Sequence, residues 1–302
     1  MYYYIISTNP CYLYVFFAVL YLLRHCVFVF SKGVFSLRLT SIGAGNMATA
    51  ILQSVIRTGR VKADDITIYD INTDKYAAFE KLGVHCAASV QDACSASEMI
   101  LLAVKPQDYE TVLTGIRDTV AGTKKVFISI AAAISTSYIC TTLSGDFPVV
   151  RVMPNTPLLI GCGATAISRN AFVDDRLYTK ICGLFAASGS VVSLPEEQMN
   201  AVISVNSSSP AYVYLFAKAM IDNAVEQGID RNVAKDLVFQ TLKGSTEMLI
   251  HSDHDPDELI RMVTSPKGTT EAALKSFDSD HFCDIVSNAM NACTARAIEI
   301  SR

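Results

Sequence analysis

The sequence has no surplus of positive charge: its 302 residues carry 25 Lys and Arg against 29 Asp and Glu, a net charge of −4. That argues against nucleic acid as the main ligand. Charge is sparse altogether, at 18% of residues against 51% apolar, which excludes a disordered chain. Among nine cysteines (11, 26, 86, 94, 140, 162, 182, 283 and 293) no Cys-x-x-Cys occurs, nor any Cys/His spacing of a zinc site. No metal is therefore expected. Scattered through apolar segments, the cysteines read as buried thiols of a reducing compartment, and the cytoplasm is the expected location. His251-Ser-Asp-His254-Asp255 offers metal-ligating side chains, but Pro256 follows it, and a solvated turn is the preferred reading.

Long apolar runs are also short of a span. Cys11–Leu23 is uninterrupted, then Arg24-His25 break it before Cys26–Phe30. A membrane helix needs about 20 apolar residues. No basic segment precedes the run and no small-x-small cleavage pattern follows it. Yet residues 1–36 hold 11 of the 27 aromatic residues, where an even spread gives about three. Three readings of this leader stay open: translated upstream sequence or a disordered leader, a membrane anchor, and a cleaved targeting segment. Against the first, no methionine lies between Met1 and Met47. Any membrane contact is expected through residues 1–36 alone.

From residue 37 the pattern becomes regular. Short apolar runs at Leu37–Ile42, Ile66–Asp70, Val84–Cys86, Glu98–Val104, Lys125–Ile130 and Pro148–Val152 predict strands. Helical periodicity follows Gly45 and recurs at Thr73–Leu82, Gln107–Val120 and Ser135–Leu143. Strand and helix alternating at this spacing imply right-handed crossovers and a doubly wound parallel sheet, an α/β fold. After Pro195 the stripes are all helical: Gln198–Val205, Pro210–Gln227, Arg231–Ile250, Asp257–Val263 and Asp280–Ile300. The expected division is a leader at 1–36, an α/β domain at 37–195 and a helical domain at 196–302. The second domain's helices are apolar enough to suggest burial against a partner subunit.

Gly43-Ala44-Gly45-Asn46-Met47-Ala48 sits between the first strand and its helix. Gly43 permits a tight turn, Gly45 lets a pyrophosphate approach the backbone, and Ala48 lets helix and strand pack, which points to a dinucleotide. Asp70 ends the second strand, where a carboxylate accepts the ribose 2′-hydroxyl and repels a 2′-phosphate, a slight lean to NADH over NADPH. It is also placed to cap the next helix, and Lys75 is placed to rescue a phosphate. Val104-Lys105-Pro106, Ala131-Ala132, and Asn155 with Thr156 end the fourth, fifth and sixth strands at the carboxyl edge, where such sheets bind ligands. Val263-Thr-Ser265-Pro266-Lys267-Gly268-Thr269-Thr270 gathers hydroxyls and N–H groups at a helix start, a cradle for a small carboxylate. Capping by Thr269 or Thr270 is the alternative.

Five strings resemble pyrroline-5-carboxylate reductases in their order: I-G-A-G-N-M-A (42–48), A-V-K-P-Q (103–107), R-V-M-P-N-T-P (151–157), S-S-P-A-Y-V (208–213) and V-T-S-P-K-G-T-T (263–270). The resemblance spans about residues 37–300. It implies a Rossmann domain followed by an all-helical dimerisation domain, and homodimers that often form larger rings. The implied reaction is NADH- or NADPH-dependent reduction of 1-pyrroline-5-carboxylate to L-proline. By position, Gly43, Ala44, Gly45, Asn46 and Met47 would hold the cofactor phosphates. Val104, Lys105, Pro106, Ala131 and Ala132 would flank ribose and nicotinamide. Ser265, Lys267, Gly268, Thr269 and Thr270 would receive the substrate, with Thr270 against the ring nitrogen and Ser265 beside it as catalytic candidates.

The chain departs from the family at three places. Asn206-Ser207 stand where Ser-Gly is usual, Lys267 replaces a glycine of Ser-Pro-Gly-Gly, and Ala133 replaces a glycine after the fifth strand. If residue 207 or 267 needs positive φ, each costs about 1 kcal/mol. Two other functions remain: a related dehydrogenase or imine reductase, for which Lys218 is the candidate catalytic lysine, and a non-catalytic, membrane-tethered dinucleotide-binding protein.

Overall fold

The structure, a computed structural model, describes residues 38–301; the leader lies outside them. Eight strands form one sheet: β1 (Leu39–Ile42), β2 (Ile66–Tyr69), β3 (His85–Cys86), β4 (Met99–Leu102), β5 (Val126–Ser129), β6 (Val149–Met153), β7 (Gly163–Arg169) and β8 (Gly189–Ser193). Their order is β3-β2-β1-β4-β5-β6-β7-β8. The sheet is mostly parallel, as the alternation implies. It is not wholly so, because β7 runs antiparallel to β6, with Val152 opposite Ile167. The chain turns back through the 3₁₀ turn Thr156–Ile160, ended by Gly161 at φ 80°. That turn needs no crossover helix, so the strand it feeds is reversed.

Helices α1 (Asn46–Arg57), α2 (Tyr76–Glu80), α3 (Val90–Ala96), α4 (Tyr109–Val120), α5 (Thr136–Leu143) and α6 (Asp175–Ala186) accompany the sheet. Successive residues of the central strands serve opposite faces. Leu101, Ile128 and Val150 join one buried cluster with Leu52 and Ile181. Leu102, Phe127 and Val149 join the other with Leu113 and Ile139. Both faces are covered, which is why these strands read as continuous apolar runs.

The chain divides into two compact units at Ser207/Ser208, with the residues from Ala297 onward grouped with the first. The stretch predicted as a helix at Gln198–Val205 is instead a 3₁₀ turn, Glu196–Gln198, then a π-helical turn, Ile203–Ser207. The wider turn lets Asn206 face inward, where its Nδ2 donates to the carbonyls of Met153 at 2.7 Å and Ala164 at 3.0 Å. Tertiary hydrogen bonds thus override the 3.6-residue pattern. The second unit is helical: α7 (Ser209–Glu226), α8 (Arg231–His251), α9 (Pro256–Met262), α10 (Thr269–Ser279) and α11 (Phe282–Glu299), whose last residues group with the first unit. Asp255 caps α9 through a capping box with Glu258, so the histidine-rich patch forms a helix start. Among the described residues no helix is long and apolar enough to cross a membrane.

Candidate active site

In the first unit β1 lies between β2 and β4. The strand order reverses there, and the crevice beyond the carboxyl ends is where a doubly wound sheet takes a ligand. Gly43 occupies that edge at φ 102°, its N–H bonded to the Tyr69 carbonyl at 2.7 Å. A Cβ on Gly43 would lie 2.6 Å from the Ala103 carbonyl oxygen. No L-residue fits, because the φ and the space both forbid it. Gly45 differs: its φ is −62°, and a Cβ there would meet nothing within 4 Å. The protein does not require this glycine for itself. The open space lies at the first turn of α1, which has no side-chain cap. Free N–H groups at a helix start, beside a cradle that a Cβ would fill, fit a dinucleotide pyrophosphate. Asn46 and Met47 open the helix, while Ala44 and Ala48 are buried beneath it.

Asp70 has a part that the sequence reading did not assign. Its Oδ2 accepts the Ala44 N–H at 2.6 Å and its Oδ1 accepts the Asn72 N–H at 2.8 Å. The carboxylate thus staples β2 to the glycine turn, and the next helical turn is capped by Asn72 instead. Lys75 Nζ donates to Asn46 Oδ1 at 3.3 Å, so a cation stands beside the same turn.

Val104, Lys105 and Pro106 follow β4, with Lys105 extended and exposed. Ala131 and Ala132 follow β5, and Ala133 takes φ 66°. The carboxyl edges of β1, β4 and β5 are neighbours in the sheet, so these residues share one rim with Gly43 and Gly45. Asn155 stands apart from them. It is buried, its Oδ1 accepts from Ala164 N at 2.9 Å, and its Nδ2 donates to the Asn206 carbonyl at 3.2 Å. The side chain braces the loop after β6 instead of facing the rim.

In the second unit, Ser265 to Gly268 form a turn in which Gly268 N donates to the Ser265 carbonyl at 3.0 Å. Gly268 is the N-cap of α10 and no side chain caps it, so the hydroxyls of Thr269 and Thr270 are not spent on capping. Lys267 stands at φ 61°, the left-handed region, whereas Ser207 does not. The anticipated cost thus falls on residue 267 and not on 207, and Ala133 bears a cost of the same kind that the sequence reading did not foresee. The Lys267 backbone N–H donates to the Glu271 carboxylate, which also pairs with Lys275 at 2.7 Å. Lys275 and the Lys267 N–H hold the Glu271 carboxyl below its usual range, so it stays ionised at neutral pH. Lys218 is tied to Asp222 at 2.6 Å on an exposed face of α7.

Two family models match these two units. Residues 38–133 match the NADP oxidoreductase, coenzyme F420-dependent model, and residues 196–300 match the pyrroline-5-carboxylate reductase dimerisation model. Pyrroline-5-carboxylate reductases of Pseudomonas aeruginosa and Escherichia coli are 35% and 33% identical over 87% and 86% of this chain, covering 97% of each relative. The chain belongs to the pyrroline-5-carboxylate reductase family. Within that family, the solved pyrroline carboxylate reductase of Plasmodium falciparum, with NADP bound, superimposes with a TM-score of 0.83 at 27% identity, covering 89% of this chain and all of that one. The Coxiella burnetii reductase gives 0.80 at 31% identity over the same shares. The second unit of this reductase is accordingly a dimerisation domain.

Proposed function

We propose that this reductase converts 1-pyrroline-5-carboxylate to L-proline, with the dinucleotide on the rim of β1, β4 and β5 and the substrate in the Ser265–Thr270 turn. The observation that carries the reading is the pair of glycines in the first turn, one demanded by the backbone and one leaving room for a ligand, on a chain belonging to this family. Gly43, Ala44, Gly45, Asn46 and Met47 would hold the cofactor phosphates. Val104, Lys105, Pro106, Ala131 and Ala132 would wall the ribose and nicotinamide. When bound, the reduced nicotinamide supplies hydride to the imine carbon.

The chain's own residues orient the acceptor. The open start of α10 and the hydroxyls of Ser265 and Thr269 receive the carboxylate, with Gly268 giving it close access and the Lys267 ammonium supplying opposite charge. The Thr270 hydroxyl meets the ring nitrogen and fixes which face of the ring receives hydride. Glu271 is ionised and cannot be the acid, so the proton arrives with the substrate as an iminium or passes through the Thr270 hydroxyl. An ionised carboxylate in the same turn also favours a cationic ring. Thr270→Ala is expected to lower kcat/KM about 10- to 100-fold, followed as loss of reduced-nicotinamide absorbance. An unchanged rate would remove Thr270 from the site, and a wild type turning over with neither nicotinamide would overturn the function.

For the cofactor we infer a slight preference for NADH. Asp70, stapled to the glycine turn, keeps negative charge at the end of β2; Lys75 beside Asn46 opposes it. Asp70→Ser is expected to move the NADH/NADPH ratio of kcat/KM toward NADPH. Cytoplasmic residence is inferred from the seven free cysteines among the described residues, and cell fractionation tests it together with membrane contact through residues 1–36. A ring of dimers rests on the resemblance, and sedimentation reads it.

A further inference from the structure

The nicotinamide wall assigned above is a strained loop. Ala131 to Ser135 connect β5 to α5, and Ala133 sits at φ 66° within them. A residue in that region costs about 1–2 kcal/mol more than glycine would, and it persists because the structure around it holds it: Ala133 and Ile134 are buried. The far end is fixed by a residue sixty positions on. Glu196 Oε1 accepts the Thr136 N–H at 2.7 Å and Oε2 accepts the Thr136 hydroxyl at 2.6 Å. The carboxylate thus grips the first residue of α5, at the positive end of the helix.

Glu196 is in turn held by Arg151 on β6. Arg151 Nη1 lies 3.3 Å from Glu196 Oε1, and Nη2 donates to Asn200 Oδ1 at 3.2 Å. Asn200 Nδ2 donates onward to Ser301 Oγ at 2.9 Å. The Arg151 side chain is only 4% exposed, and its Nε has no partner among the described residues. A buried guanidinium with an unmet donor is poor value for stability alone. Its retention is better explained by what it aims than by what it contributes to the core.

We propose that Arg151 and Glu196 are positioning residues for catalysis, a latch that fixes the start of α5 and through it the Ala131–Ala133 wall against which the nicotinamide is set. The inference rests on the cofactor placement proposed above. It makes two separable demands. The Glu196–Thr136 grip sets loop geometry, whereas the Arg151–Glu196 pair keeps a buried charge compensated.

Glu196→Ala, Arg151→Met and the double variant separate the two demands in the full-length enzyme. Three readouts are needed: NADH and NADPH titrations, steady-state kinetics with 1-pyrroline-5-carboxylate, and melting temperature. Glu196→Ala is expected to raise the dinucleotide Kd and KM about tenfold and to lower Tm by roughly 5–10 °C. The double variant removes the stranded charge, so Tm recovers while the weakened dinucleotide affinity does not. Glu196→Gln, which keeps one acceptor for Thr136, is expected to restore most of that affinity. If affinity in the variants follows Tm, or is unchanged while Tm falls, the latch is only structural and the proposal is overturned. Turnover absent from the wild type would count against the reductase reading. The dinucleotide titration still reads the latch in that case, and a wild type binding neither dinucleotide would overturn both.

Discussion

The two units solve the burial problem differently. In the first, both faces of the sheet are covered, and Leu101, Leu102, Ile128 and Val149 are at most 1% exposed. In the second, the buried core amounts to Ala217, Ile221, Ala234 and Val238, with Met220, Ala224 and Leu242 packed around them. Meanwhile Leu215, Leu237 and Phe239 are 68%, 59% and 52% exposed, and Val213, Ile285 and Val286 are open as well. An apolar surface of that extent on an isolated chain marks an interface. The first unit completes itself, whereas the second is half of something. That agrees with its match to a dimerisation model.

The sharpest way to break the contrast is a charge on each side of it. Leu237→Asp is expected to leave the first unit folded and weaken self-association by roughly 2 kcal/mol or more, read by analytical ultracentrifugation. Leu101→Asp buries an unpaired carboxylate and is expected to yield no folded protein. A fully dimeric Leu237→Asp enzyme would show that this face is not the interface.

A finer version lies within one turn. Gly43→Ala is expected to cost roughly 3 kcal/mol of stability, because it combines positive φ with overlap of the Ala103 carbonyl. Gly45→Ala is expected to leave Tm unchanged and weaken dinucleotide binding at least about tenfold, or 1.4 kcal/mol, by calorimetry. Equal losses of Tm in the two variants would mean that neither glycine is kept for a ligand.

Smaller still, Ala133→Gly and Lys267→Gly each relieve a left-handed residue, one in each unit. Each is expected to gain about 1 kcal/mol from relieved strain, less what glycine adds to the unfolded chain's freedom. The first should raise the monomolecular stability of the sheet domain. The second should be visible only in the dimer's melting curve. The smallest effect is in thiol chemistry. Burial pushes Cys94 up to about 12 and Cys182 to about 11, so an alkylating agent at pH 8 should label the exposed Cys162 and Cys283 before either of them.

Much of this was legible in the chain itself. β1 to β6 announce themselves because strands buried on both faces are continuous apolar runs closed by glycine or proline, and α1, α2, α4 and α5 show their periodicity, whereas α3 (Val90–Ala96) was missed. The family strings mark the proposed site. What escaped is instructive. β7 and β8 were not assigned, since Gly163-Ala-Thr-Ala-Ile-Ser-Arg169 is half polar and Gly189–Ser193 is largely exposed. Asn155 looked like a presented amide because its partners, Ala164 and Asn206, are 9 and 51 residues away. The role of Asp70 as a staple depends on a backbone N–H, which no side-chain motif records. Likewise the grip of Glu196 on Thr136 joins two unremarkable residues that only the sheet topology brings together. The strain at Lys267 was anticipated as a question of φ that only the backbone could answer, and the strain at Ala133 was not anticipated.

The sparse core of the helical unit has a consequence for handling the enzyme. When part of a protein's burial is supplied by a second chain, its stability contains a concentration. Ten-fold dilution of a dimer removes about 1.4 kcal/mol from the assembled state, with no change of buffer, temperature or sequence. Water itself then acts as the denaturant, and the first place to loosen is the helical unit, whose burial the partner completes.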